Sequence, residues 1–95
     1  MSVRLLADIK AILEEQRTDR IASARLVGLL GIMEDRPWPE WKSGKPLTPN
    51  ALARLLRSFG IYPDTIRIGE TTAKGYLLGQ FRDAFDRYLW GPLEP

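Results

Sequence analysis

Six cations set the chemistry that this chain can do: Lys42, Lys45, Arg54, Arg57, Arg67 and Lys74. Between Lys42 and Lys74 they meet only two acids, Asp64 and Glu70, a local net charge of +4, while the rest of the chain carries −2. Arg54 and Arg57 lie three apart, so on a helix both point to one side. There each guanidinium can donate to guanine edges or to phosphate. Asn50 stands where a helix begins and can reach an adenine or a phosphate. Thr71, Thr72 and Lys74 suit contacts to sugar and phosphate, and Arg67 alternates with the apolar Ile66 and Ile68, which turns it to solvent.

Other chemistries have little material. The chain has no His and no Cys, which removes thiol nucleophiles, disulfides and an ordinary zinc site. No Gly-rich phosphate loop or GxSxG sequence is present. The acidic pairs Glu14–Glu15, Glu34–Asp35 and Asp83/Asp86 fall on polar helix faces or helix ends, where ion pairing is their ordinary use. No catalytic residue, cofactor or metal ligand is expected, and the chain is read as a binding module, not an enzyme. No apolar run approaches the roughly 20 residues of a membrane span, so no membrane contact and a cytoplasmic location are expected.

The elements that must position these groups follow from periodicity. A first helix from Ser2 puts Leu5, Leu6, Ile9, Ile12 and Leu13 inward and Arg4, Asp8, Lys10 and Glu14 outward. Arg20–Ala22 reads as a single β-bridge. A second helix, from Ser23 as N-cap to about Met33, buries Leu26, Val27, Leu30 and Met33. Gly28 and Gly31 within it predict close approach of another helix. Glu34–Pro46 is a thirteen-residue connector with three prolines and two tryptophans. Trp38 and Trp41 are expected to anchor it by burial, the alternative being an exposed aromatic platform. Thr48 then caps a third helix, with Pro49 at its first position. Its apolar face is Leu52, Leu55, Leu56 and Phe59, and Gly60 stops it. Ile66–Ile68 and Tyr76–Leu78 form a hairpin with its tip in Glu70–Gly75. Gln80 to about Trp90 forms a fourth helix, closed by Gly91–Pro92.

A basic-faced helix followed by a two-stranded wing is the layout of a winged helix-turn-helix. The expected fold is therefore mainly α with a small β-hairpin, one domain over residues 1–90 and a tail over 91–95. In that layout the third helix enters a major groove and the wing touches the neighbouring backbone. A different reading makes the third helix or the Trp loop a surface for a protein partner.

Several segments also resemble a known bacterial family: Arg36-Pro37-Trp38-Pro39-Glu40-Trp41, Gly44-Lys45-Pro46-Leu47-Thr48, Leu52-Ala53-Arg54-Leu55-Leu56 with Phe59-Gly60-Ile61, Thr65-Ile66-Arg67, Lys74-Gly75-Tyr76, and Phe81 with Tyr88-Leu89. That family, of unknown function, closes the C-terminal ends of larger primase–helicase-like proteins with P-loop ATPase regions, often from prophages and other mobile elements. The resemblance implies a replication-associated accessory domain acting on duplex or forked DNA beside an ATPase or primase portion. It implies no catalytic residues.

Overall fold

A computed structural model of the chain describes residues 3–88. The elements run α1 (Val3–Gln16), β1 (Arg20–Ala22), α2 (Ser23–Leu30), a single 3-10 turn (Trp38–Glu40), α3 (Pro49–Arg57), β2 (Asp64–Ile68), β3 (Thr71–Leu77) and α4 (Leu78–Tyr88). Ser2, the expected helix start, the last turn of the fourth helix at Leu89–Trp90 and the tail at 91–95 lie outside the described residues.

The expectation of a mainly α, winged helix-turn-helix chain with a small hairpin is corrected. Among the described residues the domain is mixed α/β, with four α-helices and a three-stranded antiparallel sheet in the order β1-β3-β2. Two segments account for the difference. Arg20–Ala22 is a strand paired along its length, Arg20 with Leu77, Ile21 with Tyr76 and Ala22 with Gly75. The hairpin tip is only Gly69–Glu70, with Gly69 at φ 62°. Thr71–Gly75, expected as the tip, is instead strand, with Thr71 opposite Ile68 and Gly75 opposite Asp64. Its outer residues are mostly exposed, so a strand here needs no alternation of apolar residues.

Each helix buries the stripe that its spacing dictates. Leu5, Leu6, Ile9, Ile12 and Leu13 of α1 meet Leu26 and Leu30 of α2, Leu52 and Leu56 of α3, and Phe81, Ala84 and Phe85 of α4 in one core. The sheet adds Ile21 and Tyr76, and the connectors add Trp38, Leu47 and Ile61. Leu55 and Phe59 pack at its margin, while Tyr88 is largely exposed. α2 is shorter than expected and stops at Gly31 as C-cap. No helix approaches Gly28, which has open space where a side chain would stand, and Gly31 faces Pro46 rather than a helix.

Gly75 is where close approach matters. A Cβ there would overlap the Ile21 carbonyl and stand 2.8 Å from Ile66 Cδ1 and 2.9 Å from Ala22 Cα. Two of those three neighbours are backbone, so β1 can pair this closely with β3 only because position 75 has no side chain. Beside it, the buried Tyr76 hydroxyl makes no hydrogen bond. Burial is what chiefly pushes this phenol up from its ordinary value.

Gly75→Ala should lose at least about 2 kcal/mol in urea unfolding, as over-packing against backbone does. Gly28→Ala, on an exposed helix face, should instead gain roughly 0.5–1 kcal/mol. A Gly75→Ala variant as stable as the parent would mean that β1 does not approach β3 so closely there. For Tyr76, a raised folded-state value favours folding fully below about pH 10, the unfolded phenol's range. That contribution is lost as pH rises through the folded value. Tyr76→Phe should be at least as stable as the parent near pH 7, since its buried hydroxyl has no partner to lose. It should then exceed the parent in unfolding free energy at about pH 11.

Candidate nucleic-acid interface

The loop before α3 is positioned by a buried carboxylate. Asp8 is 4% exposed and accepts from Arg36 Nε at 3.1 and 3.0 Å and from Trp38 Nε1 at 2.7 Å. The polar-face placement expected for Asp8 is therefore wrong. It stands three residues after Leu5 and four before Ile12, so helical spacing puts it on the apolar side. That signal is present in the spacing; nothing local links Asp8 to its two partners, 28 and 30 residues away.

Trp38 is fully buried and Trp41 half-buried, their ring centroids 5.5 Å apart at 37°. The Leu47 N–H donates to the Trp38 carbonyl at 2.8 Å, tying the two ends of the segment together. Between them the chain reverses tightly: the Lys42 N–H donates to the Lys45 carbonyl and the Lys45 N–H to that of Lys42. Ser43 and Gly44 both have positive φ, 54° and 74°, as a two-residue hairpin turn of the primed type requires. Lys42 and Lys45 are thereby held side by side and exposed.

α3 follows the sequence reading closely. The Thr48 hydroxyl accepts from Ala51 N–H at 3.1 Å and Pro49 opens the helix. Leu52 and Leu56 are fully buried, leaving Asn50, Arg54 and Arg57 exposed at positions i, i+4 and i+7 of one stripe. Arg54 and Thr48 line one crevice with Trp41, Lys42 and Lys45. Three of the expected site cations are thus brought together.

The hairpin holds a second group. Thr65 pairs with Lys74 and Arg67 with Thr72, so Arg67, Thr72 and Lys74 share one face by register. Thr71 falls on the other face, and its hydroxyl donates to the Ile68 carbonyl at 3.2 Å within the turn. It is spent on the hairpin itself. The Arg67 carbonyl accepts from Arg20 at 3.1 Å, which braces the hairpin and leaves the Arg67 side chain exposed.

Some of the other cations are paired, whereas Arg4, Arg17 and Arg82, like the members of these two groups, lack an ion pair among the described residues. Lys10, Arg20, Arg36 and Arg87 pair with carboxylates and Arg25 with Gln16. Among the described residues, Lys42, Lys45, Arg54, Arg57, Arg67 and Lys74 have no ion-pair partner. No group of three or more acidic residues among the described residues is arranged to hold a metal ion. No helix among them is long and apolar enough to cross a membrane.

Residues 1–88 match the family model described as Protein of unknown function (DUF3631). The chain belongs to that family. No curated protein and no solved structure matches it. Family membership assigns no role to any residue, so the functional reading rests on the geometry of the site.

The clamp should dominate local stability. Asp8→Ala removes three bonds to a buried carboxylate and should cost on the order of 3 kcal/mol in urea unfolding. Trp38→Phe keeps most of the ring but deletes one bond to that carboxylate, for a loss of about 2 kcal/mol. Both variants as stable as the parent would show that the loop is held by something other than Asp8.

Proposed function

We propose that the domain binds DNA, duplex or forked, through α3 and the exposed face of the β2–β3 hairpin. The observation that carries the reading is the clustering of Lys42, Lys45 and Arg54 at one acid-free crevice beside α3, with Arg67 and Lys74 exposed on one face of the hairpin. Phosphate is the ligand such a set fits best, because each contact releases condensed counterions. α3 has nine residues, about 13 Å of helix, a length that lies within a major groove. Asn50, Arg54 and Arg57 would face base edges and phosphates, while Arg67, Thr72 and Lys74 would meet the neighbouring backbone.

The setting we infer is a cytoplasmic, replication-associated protein of a prophage or other mobile element, in which this domain accompanies a primase–helicase-like ATPase portion. The segments from Arg36 to Leu89 that resemble such proteins support that setting. In it the domain performs no reaction. It holds DNA while the neighbouring portion works.

Anisotropy titration of a labelled duplex across several salt concentrations tests the reading. With four or five phosphate contacts, log K against log salt should fall with a slope of roughly −3.5 to −4.5. Arg57→Ala and Lys74→Ala, both at exposed positions, should each flatten the slope by about one contact and leave the melting curve unchanged. Affinity indifferent to salt, or to both substitutions, would contradict it.

A further inference from the structure

We propose that the crevice between the Lys42–Lys45 turn and α3 receives one unpaired nucleotide of DNA, its base against Trp41 and its phosphate among Lys42, Lys45 and Arg54. The proposal rests on the DNA-binding reading above and adds the point at which a strand leaves the duplex. The crevice encloses about 350 Å³, at the small end of the range for ligand sites. A duplex backbone is convex and lies across such a concavity without filling it. An extruded nucleotide can enter.

Its lining suits that occupant. Three cations and no acid surround it, so a phosphate meets only attraction there. Trp38 does the anchoring, fully buried and bonded to Asp8, which leaves Trp41 as a half-buried ring at the crevice wall. Indole beside cations is the combination that holds single strands without regard to sequence. The larger groove between α1 and α4, about 680 Å³, contrasts with it: Lys10, Arg17 and Arg82 alternate there with Glu14, Asp19 and Asp86, which gives an anion no net attraction.

Three DNAs test this with the whole chain: a blunt duplex, the same duplex with a short thymidine overhang, and oligothymidine alone. The overhang should raise affinity about tenfold over the blunt duplex, the scale of one base stacked on an aromatic ring. Trp41→Leu should erase that gain while blunt-duplex affinity stays within about twofold. Trp41→Phe should retain most of it. The double variant Lys42→Gln/Lys45→Gln, confined to exposed side chains, should also diminish the gain and guards against a folding defect in the Trp variants. A parent that binds the blunt duplex with no gain from the overhang overturns this proposal alone. So does a Trp41→Leu variant, folded by its melting curve, that keeps the gain. A parent that binds none of the three DNAs at low salt overturns the DNA-binding reading, and this inference with it.

Discussion

The carboxylate of Asp8, buried beneath the connector and bonded to Arg36 and Trp38, is the interaction on which the arrangement of this domain depends. The segment between α2 and α3 contains Pro37, Pro39 and Pro46, which offer no N–H to any ladder. Its few backbone bonds, such as Leu47 N–H to the Trp38 carbonyl and those of the Lys42–Lys45 turn, close it on itself but do not fix it to the domain. Three side-chain bonds to α1 and the full burial of the Trp38 ring hold it instead, offsetting the cost of taking a carboxylate out of water. From that fixed point the geometry propagates outward. Trp41 packs on Trp38, the Lys42–Lys45 turn follows Trp41 directly, and α3 begins at Pro49, four residues after Lys45.

Stability and binding make opposite demands on the charges. An exposed ion pair adds little to folding, about 0–1 kcal/mol. Leaving six cations unpaired therefore costs the domain little, while each remains free for phosphate. Repulsion within the crevice is screened by salt over about 10 Å at 0.1 M. Added salt should thus relieve the folded protein slightly and weaken its hold on DNA steeply. The same cations would show opposite salt responses in the two experiments.

Much of this was legible in the sequence, and the failures have physical causes. α3 could be read because cap, first-turn proline, apolar stripe and C-terminal glycine all agreed, and neighbouring residues alone determine each of them. The stripe of Asn50, Arg54 and Arg57 came with it. The sheet was under-read because the outer part of β3, Thr-Thr-Ala-Lys, is solvated and carries no hydrophobic alternation. Local sequence makes Gly75 the end of the hairpin tip, whereas its role is set by β1, a strand some fifty residues earlier. Asp8 was assigned to solvent because a charged residue on a helix usually points there, and its partners lie across the fold. The crevice was out of reach for the same reason, since no single segment builds it.

Backbone amide shifts during titration of the labelled protein with a short forked DNA test the account most directly. Perturbations should gather on Trp41–Lys45, on Asn50–Arg57 and on Arg67–Lys74, leaving the α1 and α4 surface around Glu14 and Asp86 unmoved. Shifts concentrated on that α1–α4 surface, with α3 and the Lys42–Lys45 turn silent, would contradict it.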